Sequence, residues 1–170
     1  YKYIPFKMEG ISIVLFDTGV KHSLASSAYN KRREECEEGV ALIQQQYPAV
    51  KSLCDATIGM VEHCLSNSAT NIYHRSKYMV EEIARLQEAC VCLERGDMAA
   101  FGALMFATHD GLSRLYEVSC KELDVLAGLA RDCEGVLGAR MMGGGFGGCT
   151  INLVKENKLE ETIALIAERY

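Results

Sequence analysis

The chain has 170 residues, the length of one ordinary domain, and is long enough to bury roughly 70% of the surface that its unfolded form exposes. Its 49% hydrophobic and 24% charged content is that of a soluble globular protein, and no apolar run approaches the ~20 residues of a membrane span. A net charge of −5 argues against a general nucleic-acid or anionic-membrane surface, though not against a local basic pocket.

Gly10–Phe16, "GISIVLF", is a short apolar run rich in β-branched residues and predicts a buried strand, which Asp17-Thr18-Gly19 stops. "VKHSLASSAYNKRR" has no clear period through Ser27 and reads as a loop that feeds a helix near Asn30. From there Cys36, Val40, Ile43 and Tyr47 recur on one helical face, until Pro48. A short helix is predicted around Ile58–Leu65. Met79, Ile83, Leu86, Cys90 and Leu93 then mark a long amphipathic helix from about Asn71 to Glu94.

Gly96-Asp97 breaks that helix, and Asp97 is placed to cap the next one, which carries Met98, Phe101, Met105, Leu112 and Tyr116. "SCKELD" offers a capping box, with Ser119 at the N-cap and Glu122 three residues on, for a helix to about Asp132. "VLGARMM" and "CTINLV" read as two strands around a glycine run. Leu159, Ile163, Ile166 and Tyr170 close the chain as an amphipathic helix. One block of helices, with tightly joined strands after it, predicts an α+β domain over 1–170. Its helices pack on one face of a small antiparallel sheet.

Eight cysteines are scattered without a C-x-x-C pair, mostly among apolar neighbours. A chain of this length with an ample supply of other core residues does not need a disulfide framework. The cysteines read as reduced, buried small hydrophobes of a cytosolic protein. His63 and Cys64 lack a second ligand pair, so the pattern gives no metal site. The chain has no signal-like start and no initiator Met, and it reads as a fragment, a processed product or a trimmed form.

The glycine run is the most informative segment. Gly143, Gly144, Gly145, Gly147 and Gly148 surround a single Phe146. Gly143, Gly145 and Gly148 spell G-x-G-x-x-G, but a dinucleotide fingerprint must open a helix whose N-terminus binds the pyrophosphate. "CTINLV" reads as a strand, and no Gly-Lys-Ser/Thr ends the run, so neither the dinucleotide fingerprint nor a Walker A loop fits. Two readings remain. One is a hairpin that needs glycine only for tight geometry. The other is a loop that brings backbone up to a ligand, with N–H groups available to phosphate or sugar oxygens.

Three segments decide between them by resemblance. "VKHSLASSAYNKRREECEE" (20–38), "SCKELDVL" (119–126) and "GARMMGGGFGGCTINLV" (138–154), with "ERGDMAAFGALMFATHDGLSRLYEVS" (94–119) between the first two, closely resemble the C-terminal half of galactokinases, in the GHMP kinase superfamily. The H-S-L-A-S-S-x-Y-x-x-R-R pattern is the specific part, and the likeness covers about residues 10–155. It implies a ferredoxin-like sandwich as the second lobe of a two-lobed enzyme that phosphorylates α-D-galactose at O1, with ATP and Mg²⁺. The catalytic residues, and most contacts to ATP and Mg²⁺, are implied to lie in the N-terminal lobe, which is the main partner of this chain. This chain by itself is expected not to turn over galactose, and the implied location is cytoplasmic.

Residue by residue, the resemblance makes Tyr29 a sugar contact. It places Lys21 and Ser23 near the transferred phosphate and the 143–148 loop against the cleft. Arg32 and Arg33 sit at the positive end of their own helix, the wrong sign for its dipole, so each is expected to pair with a carboxylate. The sequence departs from the family at Met142, where threonine is usual, at Asp17-Thr18-Gly19, where Asn-Ser-Asn is common, and at Leu115, where an acidic residue is common. N-acetylgalactosamine or L-arabinose as the sugar, or a non-catalytic sugar and ATP sensor, therefore stay open beside galactose.

Overall fold

The computed structural model describes residues 2–20 and 25–170, with the side chains of residues 25–27 excepted. Three strands, β1 (Ile11–Asp17), β2 (Val136–Met141) and β3 (Cys149–Lys155), form an antiparallel sheet in the order β1-β3-β2. Strand β3 lies at the centre. It pairs Ile13 with Leu153 and Leu15 with Ile151 on one side, and Ala139 with Asn152 and Met141 with Thr150 on the other. The tight β2–β3 connection makes these two strands antiparallel neighbours, as their spacing predicts.

Among the described residues there are six α-helices: α1 (Ala25–Gln44), α2 (Ile58–Leu65), α3 (Thr70–Arg95), α4 (Met98–Arg114), α5 (Lys121–Arg131) and α6 (Leu159–Arg169). Leu126 and Ala130 of α5 and Ile166 of α6 pack on the sheet face that carries Phe16 and Ala139. On the other face of β1, Ile13 and Leu15 stay 43% and 51% exposed, so β1 is not the buried strand expected from its apolar run but an edge strand covered on one face. The α+β architecture with helices on one face of a small antiparallel sheet is thus the one expected. A second core, built from Ile43, Val61, Leu65, Ile72 and Val80, joins α1, α2 and α3 away from the sheet.

Several local expectations need correction. Helix α1 starts at Ala25 rather than near Asn30. Its first residues are Ala and Ser, too small to carry a hydrophobic period although they fit a helix start. Asp97 caps α4 by accepting from the Ala100 amide at 3.0 Å, as expected. Ser119 does not cap α5. The N-cap is Cys120, without a side-chain cap bond, and the Ser119 hydroxyl instead donates to Asp124 Oδ1 at 2.6 Å. In α3 the periodic residue Leu86 is exposed, while Ile72, Arg75, Ser76, Tyr78 and Val80 are buried, because the first half of that helix packs against α1, α2 and α4 together.

All eight cysteines are free thiols, as expected, but only Cys92 and Cys133 are buried, and Cys54 is exposed. Among the described residues no helix is long and apolar enough to cross a membrane.

Candidate functional site

The glycine loop closes the β2–β3 hairpin, with the Met142 amide donating to the Cys149 carbonyl at 2.9 Å. A strand follows it, not a helix, so the dinucleotide reading fails on geometry as well as on sequence. Gly143, Gly145, Gly147 and Gly148 all have positive φ, between 83° and 137°, and Phe146 joins them at 60°. Four glycines in that region are a backbone requirement, since a Cβ there is strained.

Close packing adds a second requirement at Gly145. A Cβ on it would lie 2.0 Å from the Val118 carbonyl oxygen. Gly144 has open space around it and no positive φ. The one side chain of the loop points inward, where Phe146 packs with Val118, Leu123 and Met141, while its amide donates to the Val118 carbonyl at 2.6 Å.

The segment after β1 runs beside this loop. The Thr18 amide donates to the Gly148 carbonyl at 2.9 Å, and a Cβ on Gly147 would come within 3.0 Å of the Val20 carbonyl oxygen. Asp17 accepts from the Gly19 amide at 2.8 Å, and Gly19 turns the chain with φ 67°. Thr18 is further held where the Tyr170 hydroxyl donates to its carbonyl at 2.8 Å. Lys21 and Ser23 follow directly and lie outside the described residues.

Tyr29 sits near the start of α1 with its side chain half open to solvent, 52% exposed. One turn on, Arg32 is nearly buried. It donates from Nε to the Tyr116 carbonyl at 2.7 Å, from Nη2 to the Glu117 carbonyl at 3.1 Å, and from Nη1 to Glu35 at 3.3 Å. Arg33 pairs with Glu37 at 2.8 Å on the exposed face. Both arginines therefore find the carboxylates expected of them. Burial pushes the Glu35 carboxyl up, but donation from Asn71 and Arg75 and the charge of Arg32 outweigh it and hold the carboxyl below its ordinary range.

Three contributors went unread in the sequence. Arg75, 2% exposed, donates to Glu35 at 3.1 Å, to Glu117 at 2.5 Å and to the Leu115 carbonyl. Glu117 holds φ 52°, rare for a residue with a side chain. His109, buried on α4, accepts the Met141 amide proton on Nδ1 at 3.1 Å, just before the loop. Its Nε2 then carries the proton and faces Asp124 Oδ1 at 3.2 Å, off the line of a hydrogen bond. Arg75 does leave a signal, since it stands four residues before Met79 on a predicted apolar stripe. A charge at such a position implies a buried partner.

Residues 89–170 match the family model described as the C-terminal domain of GHMP kinases. That stretch carries a GHMP kinase C-terminal domain. It is similar over its whole length to the galactokinase of Thermotoga maritima, at 39% identity, and over 98% of its length to that of Bos taurus, at 36%. It covers 46% and 41% of those proteins, so the chain spans less than half the length of the curated relatives it matches.

Its fold superposes on Lactococcus lactis galactokinase complexed with galactose with a TM-score of 0.90 and 31% identity, over 96% of this chain and 42% of that one. L. major mevalonate kinase in complex with R-mevalonate has the same fold at a TM-score of 0.60 and 22% identity, over 92% of this chain and 37% of that one. The GHMP kinase resemblance read from three sequence segments thus extends to the fold.

Proposed function

We propose that the chain is the second lobe of a galactokinase, which transfers the γ-phosphoryl group of ATP to O1 of α-D-galactose. The observation that carries this reading is the superposition on the galactose-complexed Lactococcus lactis enzyme at a TM-score of 0.90. The site geometry supports it. Arg32, one helical turn from Tyr29, bonds to the 115–118 turn, the glycine loop is fastened to that same turn, and the segment leading to Lys21 runs beside the loop. In this reading the exposed Tyr29 phenol both donates to and accepts from sugar hydroxyls. Gly143 and Gly144, with open space around them, present side-chain-free backbone to the cleft, where their N–H groups face phosphate or sugar oxygens. Lys21 adds positive charge beside the transferred group, and Ser23 lines the same stretch.

Mg²⁺ with ATP spreads the charge of the phosphates. Among the described residues no three His, Cys, Asp or Glu side chains gather to hold a metal ion. In this reading, which follows the resemblance to galactokinases, both groups are held chiefly by the N-terminal lobe, together with the catalytic residues, and the cytoplasm is the compartment where such a kinase meets ATP.

The test is product formation by the full-length protein with ATP and, in turn, galactose, N-acetylgalactosamine and L-arabinose. Galactose 1-phosphate should form with at least tenfold higher kcat/KM than either competing sugar phosphate, and the 170-residue chain by itself should be inactive. Absence of transfer to all three sugars would leave the sensor reading in its place, and transfer by the chain alone would overturn the two-lobe assignment.

A further inference from the structure

We infer that Arg75 is a positioning residue for the glycine loop, acting through the backbone of residues 115–118. The inference rests on the reading of that loop as the wall of a kinase cleft.

Helix α4 ends at Arg114, and the carbonyls beyond its C-terminus have no helical partners. Two guanidinium groups meet them. Arg75 donates to the Leu115 carbonyl, and Arg32 donates to those of Tyr116 and Glu117. Positive charge at the negative end of a helix adds to these bonds. Glu117 is held in the left-handed region, φ 52°, with its carboxylate on Arg75 and its carbonyl on Arg32. The next residue is the buried Val118. Its amide donates to the Leu112 carbonyl at 3.0 Å, and its carbonyl receives the Phe146 amide and abuts Gly145. The path from Arg75 to the loop is therefore one turn of backbone, fixed by hydrogen bonds at every residue.

The same cluster reaches the other side of the site. Glu35 joins Arg75 to Arg32, and Arg32 lies one helical turn from Tyr29. A buried ion cluster contributes little net stability beyond what apolar packing of the same volume gives. What an arginine supplies, and an apolar residue or lysine does not, is a planar fork of donors in fixed directions. Here that fork addresses Glu35, Glu117 and the Leu115 carbonyl at once.

The experiment uses the full-length protein and three variants, Arg75→Lys, Glu117→Ala and Glu117→Gln. Hydrogen exchange of the Phe146 amide is measured together with kcat and KM for galactose. Arg75→Lys and Glu117→Ala should speed Phe146 exchange at least tenfold and lower kcat/KM about tenfold, while the Leu65 and Ile166 amides, in helices away from the turn, stay within twofold of wild type. Glu117→Gln keeps an acceptor oxygen for Arg75 and should restore most of both effects. Should Arg75→Lys fail to fold, Glu117→Ala decides, because Glu117 is half exposed and carries no core packing.

Phe146 exchange within twofold of wild type in Glu117→Ala overturns the inference. So does faster exchange with unchanged kcat/KM. If the wild-type protein phosphorylates no sugar, the galactokinase reading fails separately, and Phe146 exchange alone judges whether the turn positions the loop.

Discussion

The Phe146 amide donates to the Val118 carbonyl at 2.6 Å, and this bond fastens the glycine loop to the turn that ends α4. The two residues also pack side by side with Leu123 and Met141. A loop with almost no side chains has little packing of its own, so its shape depends on such anchors and on the φ values that glycine permits. One aromatic ring, pointing inward, ties the loop to the core, while Gly143 and Gly144 have open space around them.

Substitution should separate the glycines sharply. Gly145→Val places a Cβ 2.0 Å from backbone that cannot move aside, at φ 89°, and should cost about 3 kcal/mol or more or abolish folding. Gly144→Ala meets open space and should change stability by less than about 1 kcal/mol. Denaturant unfolding of both variants measures the difference. Equal, small effects would make the loop a mere connector.

Tyr29→Phe isolates the phenol. The side chain is half exposed and makes no hydrogen bond within the described residues, so stability should stay within about 0.5 kcal/mol of wild type. If the hydroxyl binds sugar, KM for galactose in the full-length protein should rise about tenfold, the worth of one hydrogen bond of about 1.4 kcal/mol. Steady-state kinetics with galactose and with ATP checks it, and KM for ATP should stay unchanged.

Much of the fold was legible because its signals are local. Strand composition, helical period and glycine breaks fall close to the observed ends of β1, α2, α4 and α6. The start of α1 was not legible, since Ala and Ser carry no period. The sheet order was only partly so: the β2–β3 hairpin is written in the loop, but nothing near β1 says that it pairs with β3 across more than 130 residues. The glycine loop was recognisable as a functional candidate. Its support was not, because Arg32, Glu35, Arg75 and Glu117 come from three distant segments that only the tertiary structure brings together.

A close helix–strand approach gives another contrast. A Cβ on Gly102 of α4 would lie 2.1 Å from the Leu137 carbonyl oxygen, beside the register shift in β2, whereas Gly128 on the exposed side of α5 has nothing near it. Gly102→Ala should therefore destabilise by about 3 kcal/mol, as overpacking against backbone does. Gly128→Ala should stabilise by about 0.5–1 kcal/mol through helix propensity and the unfolded chain. Thermal melts of the two variants, moving in opposite directions, test the packing of α4 on β2.

His109 should make stability depend on pH near neutrality. Burial lowers its pKa below the ordinary value of 6.5. The carboxylates of Asp124 and Asp110 oppose that shift, and Arg131, bound to Asp110, adds to it. The imidazole is thus neutral in the fold, where Nδ1 must stay unprotonated to accept the Met141 amide. Below about pH 6.5 the unfolded chain binds a proton that the folded chain refuses, so stability falls as the solution is acidified and is fully present above that pH. The slope is at most about 1.4 kcal/mol per pH unit for one proton. His109→Asn offers an oxygen where Nδ1 accepts and has no group that titrates there. The difference in unfolding free energy between wild type and His109→Asn, measured from about pH 8 to pH 5, should therefore be constant above about pH 7 and shift against wild type below about pH 6.5. A difference that stays flat across the whole range would mean that His109 binds its proton equally in both states, and the assignment of Nδ1 as acceptor for Met141 would then be wrong.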